Sequence, residues 1–92
     1  MRKIKIKIQL KADRFLPGYQ TKDAAGCDLI NIGETIKLYP LDRAVINTGV
    51  HIQLPEGYEA QVRGRSGLNR DHGIVVPTGT IDADYRGEIR VV

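Results

Sequence analysis

The sequence predicts an all-β sandwich or barrel carrying one short helix. Three observations lead there. Apolar, β-branched runs recur about every ten residues with Gly, Pro, Asn or Asp between them, the rhythm of a many-stranded all-β domain. Two of these runs, residues 3–10 and 44–54, alternate apolar and polar side chains. That period of two belongs to a strand with one buried face. Only one stretch, residues 67–72, reads as helix.

Taken in order, residues 3–10 place Ile4, Ile6, Ile8 and Leu10 on one face and Lys3, Lys5, Lys7 and Gln9 on the other. The expectation is a strand buried on its isoleucine face. Residues 13–21 contain Pro17-Gly18 and read as loop, and residues 24–30 are short and apolar apart from Asp28. Asn31-Ile32-Gly33-Glu34 is a turn, residues 34–38 a short strand, and Pro40-Leu41-Asp42 a second turn. The alternation of residues 44–54 breaks at Thr48-Gly49, where a bulge or tight bend fits. Pro55-Glu56-Gly57 turns the chain into a strand over residues 58–63. The helix has Ser66 as its expected N-cap and Gly73 as a left-handed terminator. Residues 73–76 and 86–92 complete the strands. Between them, Gly79 to Ile89 reads as strand, turn and strand.

With 92 residues the chain forms one domain at most. A chain of this size buries roughly 60–65% of its unfolded surface, enough for a thin core. No apolar run approaches the roughly 18 residues of a membrane span, and the N-terminus alternates where a signal peptide would cluster its hydrophobes. No membrane partner is expected. A single cysteine, Cys27, excludes an intrachain disulfide and a Cys-rich zinc site, so cytoplasm is the default location. Fourteen basic residues against eleven acidic give a net charge of +3. Much of that excess sits at Arg2, Lys3, Lys5, Lys7, Lys11 and Arg14, where lysines alternating with isoleucines suit a solvated or protected edge strand better than a binding patch.

Three stretches carry chemistry. Gly79-Thr80-Ile81-Asp82-Ala83-Asp84-Tyr85-Arg86-Gly87-Glu88-Ile89 brings carboxylates, an aromatic ring and a guanidinium into one turn, a fitting floor for a small polar pocket. Asp and Gly are also ordinary turn formers, so a plain hairpin explains this stretch equally simply. Arg63-Gly64-Arg65-Ser66-Gly67-Leu68 offers a cation, a hydroxyl and close backbone approach, a combination suited to phosphate. It is not a P-loop, because the Gly-Lys-Ser/Thr ending is absent. Ala25-Gly26-Cys27-Asp28-Leu29 sets an acid among small and apolar residues, where a partly buried carboxylate needs a partner such as arginine. His51 and His72 stand isolated and read as non-ligands.

In this order the three stretches resemble the first three motifs of the trimeric dUTP diphosphatases (dUTPases), and the resemblance covers essentially the whole chain. It implies a dUTPase-like jelly-roll or β-barrel subunit, assembling as a homotrimer with active sites at subunit interfaces. It implies hydrolysis of dUTP to dUMP and pyrophosphate with Mg²⁺ carried on the substrate phosphates. On this resemblance Asp82 orients and deprotonates the attacking water. Tyr85 lies under the deoxyribose and excludes a 2′-hydroxyl. Main-chain groups around Thr80 and Ile81 read the uracil edge. Arg65, Ser66 and Gly67 hold the phosphates, Arg90 falls where the family often has a substrate contact, and Asp28 supports the site. An aspartate that titrates near 4 in water is a weak base at neutral pH, so positioning of the water outweighs base strength.

Two features depart from the family pattern. Many bacterial relatives carry an asparagine that contacts uracil six residues before the catalytic aspartate, where this sequence has Val76. Uracil recognition would then rest on main-chain groups. The fourth motif, a Gly-Asp-Arg-Ile-Ala-Gln-like strand, and the fifth, a Gly-rich closing arm, are missing. The expectation is therefore a barrel truncated at the C-terminus, with an open edge and little activity in this 92-residue chain. The competing readings are a dCTP deaminase of the same superfamily, a small basic nucleic-acid-binding barrel, and a non-catalytic structural or regulatory nucleotide-binding relative, which the intact Asp82 and Tyr85 pair argues against. The Asp82–Tyr85 turn disfavours the first. Five scattered aromatics (Phe15, Tyr19, Tyr39, Tyr58, Tyr85) disfavour the second, which needs stacking platforms, so no nucleic-acid partner is expected.

Overall fold

A computed structural model describes residues 3–92, so Arg2 of the basic N-terminal group lies outside the described residues. The elements run in the order β1 (Lys7–Leu10), a 3₁₀ turn (Asp13–Phe15), β2 (Ile46–Asn47), β3 (Val50–Gln53), β4 (Ala60–Val62), α1 (Ser66–His72), β5 (Gly79–Ile81) and β6 (Arg90–Val91). Three antiparallel ladders result, joining β1 to β3, β2 to β6 and β4 to β5. The fold is all-β with one short helix, as the sequence predicts.

The core gathers where the ladders meet. Val50 is fully buried, and Leu54, Ile81 and Ile89 pack with it, flanked by Leu10, Leu29, Ile52 and Val62. Burial of one such aliphatic side chain contributes about 1.5–3 kcal/mol, so this small cluster ties the β1–β3 ladder to the β4–β5 ladder, with Ile89 leading into β6. Leu10 pairs with Val50, Ala60 with Ile81, and the Ile89 N–H donates to the Val50 carbonyl at 2.8 Å. The break at Thr48-Gly49 separates β2 from β3. Gly49 takes φ = +71°, and a Cβ there would stand 2.8 Å from the Phe15 ring and 3.2 Å from Ile32 Cδ1. Thr48 is fully buried and its hydroxyl donates to the Ile89 carbonyl at 2.6 Å. The bend therefore fixes the entry to β6.

Both predicted turns form through side-chain bonds. Asn31 Oδ1 accepts the Gly33 N–H at 2.9 Å, and Asp42 Oδ2 accepts the Tyr39 N–H at 3.0 Å. The strands are shorter than the sequence suggests. The expected strand over residues 3–10 pairs only from Lys7, because its partner β3 ends at Gln53 and the chain then turns at Pro55, whose carbonyl accepts the Tyr58 N–H. Ile4 and Ile6 remain 43% exposed, Ile8 stays 45% exposed even within the ladder, and the isoleucine face reduces to a half-buried Leu10. Residues 34–38 and 73–76 form no strand, since neither stretch finds a ladder partner among the described residues. Residues 24–30 contribute one isolated bridge, Gly18 to Asp28. The arms of the expected hairpin diverge as well. β5 pairs with β4 and β6 with β2, so residues 82–89 form a connection between two ladders.

The helix starts one residue earlier than expected. Arg65 occupies the N-cap position in extended conformation, Ser66 is the first helical residue, and no side chain caps the first turn. The C-terminal signal is realised: Gly73 turns left-handed (φ 68°, ψ 19°), and its N–H donates to the Asn69 carbonyl at 2.9 Å.

Candidate active site

The 82–89 connection leaves β5 at Asp82 with a tight turn, closed by the Tyr85 N–H donating to the Asp82 carbonyl at 3.0 Å. Because Ile81 is buried in the core, strand alternation turns the next side chain, Asp82, to the exposed side. Thr80, Ile81, Asp82, Tyr85 and Arg90 line one cavity of about 370 Å³, together with Glu88. Tyr85 folds back over Gly87, so closely that a Cβ at Gly87 would fall 2.5 Å from the phenol oxygen. Its hydroxyl donates to the Glu88 main-chain carbonyl at 2.8 Å. Arg86 turns the other way and caps the Ala83 and Tyr85 carbonyls of its own turn, at 2.6 and 3.1 Å.

Further bonds hold this connection down on the bend, on β3 and on Lys11 just beyond β1. Glu88 Oε2 accepts the Gly49 N–H at 2.7 Å, while Glu88 Oε1 pairs with Lys11 Nζ at 3.1 Å. The Gly49 N–H, with Lys11 adding to it, holds the Glu88 carboxyl below the usual glutamate range. His51 Nδ1 lies 3.0 Å from the Arg86 carbonyl and must carry the hydrogen, because a carbonyl only accepts. The Thr48 hydroxyl completes the set at Ile89. Glu88, Thr48 and His51 were not visible as site residues in the sequence. The interrupted alternation at Thr48-Gly49 was the one available signal.

The phosphate-suited residues form a second cavity. Gly26, Arg65, Ser66, Gly67 and His72 line an open depression of about 700 Å³. Beside it, Asp28 and Arg65 line an adjoining hollow with Cys27, Glu59 and Gln61. Arg65 Nη1 stands 3.9 Å from Asp28 Oδ2, a buried oxygen that receives no hydrogen bond from the described residues. An arginine thus faces Asp28, as its setting requires, but as a loose ion pair that leaves the guanidinium mostly exposed. Neither depression shares a lining residue with the Asp82 cavity. Val76 lies with neither group. It lines a third, apolar groove with Leu38, Ile46, Ile74 and Val91. Among the described residues no three His, Cys, Asp or Glu side chains gather as a metal-binding group. No helix is long and apolar enough to cross a membrane.

A family model described as dUTPase matches residues 13–92. The deoxyuridine 5′-triphosphate nucleotidohydrolase of Cytophaga hutchinsonii is 56% identical over 90 residues, covering 95% of this chain and 58% of that protein. The enzyme of the same name from Chlamydia pneumoniae is 60% identical over 80 residues, covering 84% and 55%. Among solved structures, the D95N mutant dUTPase of Staphylococcus aureus phage phi11, described with a structural Mg(II) ion, superposes with a TM-score of 0.85 at 34% identity. It covers 96% of this chain and 57% of that one. The chain spans a little over half the length of these curated relatives.

Proposed function

This chain belongs to the dUTPase family, and we propose that it serves the hydrolysis of dUTP to dUMP and pyrophosphate, with water attacking the α-phosphorus. The observation that carries this reading is the shared cavity of Asp82, Tyr85, Thr80 and Ile81. A carboxylate, an aromatic ring and the main chain of β5, which is paired on its β4 side, line one small hollow and suit a nucleoside whose phosphate end meets the carboxylate. Asp82 orients the attacking water, Tyr85 packs under the deoxyribose, and the main chain at Thr80 and Ile81 reads the base. Arg90, which lines the same cavity, contacts the nucleotide. Val76 lies outside it, in keeping with base reading by main-chain groups.

Arg65, Ser66 and Gly67 hold the phosphates, and Asp28 keeps Arg65 at their side of the helix. Their cavity is separate from that of Asp82 within one chain. This separation supports a homotrimer whose active sites combine the Asp82 cavity of one protomer with the Arg65 cavity of another. The donor set around Arg65 and Ser66 suits phosphate oxygens rather than a cation, which fits Mg²⁺ held mainly by the substrate phosphates and water. Bound there, Mg²⁺ neutralises phosphate charge. The exposed, unpaired thiol of Cys27 suits a reducing compartment, and the cytoplasm is the proposed site of action.

The test is pyrophosphate release from dUTP, UTP, dTTP and dCTP, alongside binding of the imido analogue dUpNHpp. Weak release from dUTP alone by this 92-residue chain, lost in Asp82→Asn while analogue binding persists, is the expected result. Equal turnover of UTP, or an Asp82→Asn chain as active as the native one, would refute the assignment.

A further inference from the structure

We propose that Glu88 is a positioning residue for Tyr85, setting the ring that faces the sugar; this rests on the dUTP reading above and adds to it a role that Glu88 plays through Tyr85. Glu88 is attached at both ends. Its carboxylate takes the Gly49 N–H at 2.7 Å and Lys11 Nζ at 3.1 Å, and its main-chain carbonyl takes the Tyr85 hydroxyl at 2.8 Å. The next residue is bolted to the same bend, since Ile89 donates its N–H to Val50 and accepts the Thr48 hydroxyl. One turn earlier, His51 holds the Arg86 carbonyl at 3.0 Å.

The path from core to ring is therefore short. Val50 and Thr48 are fully buried, Gly49 between them presents its N–H to Glu88, and Glu88 presents its carbonyl to the phenol. Tyr85 is 39% exposed, so packing alone does not hold its ring. What fixes it is the pair of constraints at its far end: the backbone of Gly87 beneath and the Glu88 carbonyl ahead. A ring that must accept a deoxyribose and refuse a 2′-hydroxyl works only if it cannot retreat. Releasing the Glu88 carboxylate frees the carbonyl to swing and lets the ring yield to a ribose.

The experiment labels the protein with 3-fluorotyrosine and follows Tyr85, one of four tyrosines, by fluorine NMR, assigned through Tyr85→Phe. In Glu88→Ala the Tyr85 line should move toward its unfolded position while the other three stay. Glu88→Gln keeps an acceptor for the Gly49 N–H and should retain the native line. Where Glu88→Ala fails to fold, Glu88→Asp carries the test: its shorter side chain falls short of Gly49, and the line should move the same way by less. An unmoved Tyr85 line in a folded Ala or Asp variant overturns the proposal. The second readout is the preference for a non-hydrolysable dUTP analogue over its UTP counterpart. Loss of the equivalent of one hydrogen bond should cut that preference about fivefold in Glu88→Ala, through tighter ribonucleotide binding. A uniform weakening of both nucleotides would mark a purely structural role and also overturn it. If the native protein binds neither nucleotide, the dUTP reading fails, while the fluorine lines still decide what Glu88 does.

Discussion

Thr48→Val is the substitution that best isolates how the bend holds the 82–89 connection. Thr48 is fully buried, and its hydroxyl donates to the Ile89 carbonyl at 2.6 Å. Valine is close to threonine in shape, so the exchange opens no cavity; it replaces the donor with a methyl, which cannot stay 2.6 Å from the Ile89 carbonyl oxygen. What remains is a buried carbonyl that has lost a short hydrogen bond. The net bond is worth about 0.5–1.5 kcal/mol, and leaving the acceptor unsatisfied raises the cost toward 1–3 kcal/mol. The added methyl returns part of this on burial, giving a net loss of about 1–2 kcal/mol. For a domain of this size each kcal/mol lowers the melting temperature by roughly 4–8 °C, so a drop of about 5–15 °C is expected. Far-UV circular dichroism melts of the native chain, Thr48→Val and Thr48→Ser supply the comparison. Serine keeps the hydroxyl and removes one methyl, and should melt above valine. A valine variant as stable as the native chain would show that the hydroxyl does not tie β2 to β6, and the account of how Ile89 is held would fail.

Two more outcomes follow from the same bend. Gly49→Ala forces a side chain into φ = +71° with its Cβ 2.8 Å from the Phe15 ring; left-handed strain of about 1–2 kcal/mol and overpacking of about 1–3 kcal/mol should together lower the urea midpoint well beyond the Thr48→Val effect. Glu88 predicts a pH dependence. Its carboxyl titrates below the usual glutamate range when folded, through the Gly49 N–H first and Lys11 after it. The unfolded chain therefore binds its proton at higher pH than the folded one. The stabilisation is complete above the unfolded value and fades as the pH falls through the lower, folded value. Melting temperatures taken through the acid range should decline less steeply in Glu88→Gln than in the native chain, and parallel curves would count against the bond to Gly49.

Local physics makes much of this protein readable from the chain. The period-two alternation marks β3, where Val50 leaves water, and it locates β1, although of that strand's apolar face only Leu10 is half-buried. Gly73 reads as a helix end because the left-handed residue that closes a helix is most cheaply a glycine. The Asn31 and Asp42 turns follow from short polar side chains that bond their own backbone. Asp82 and Tyr85 stand three residues apart in one turn, so their shared cavity needs no distant contact to be foreseen.

Pairing is different, because a strand exists only where another segment offers its free N–H and C=O groups. Nothing within residues 3–6 or 34–38 states that no partner lies alongside, and both stretches had the composition of strands. The same holds for the connection after Asp82, whose arms join separate ladders because β4 and β2 claim them. Ser66 reads as a cap, yet Arg65 takes the extended N-cap position and the helix begins at Ser66 itself. Glu88 illustrates the point most sharply. Its sequence neighbours present it as one more polar turn residue, yet its partners, Gly49 and Lys11, lie 39 and 77 positions away. Residue identity determined which chemistry this chain can offer at Asp82 and Tyr85. Only the folding of the Thr48-Gly49 bend against Glu88 and Ile89 decided how firmly that chemistry is held, since hydrogen bonds between distant segments are specified by packing and not by spacing along the chain.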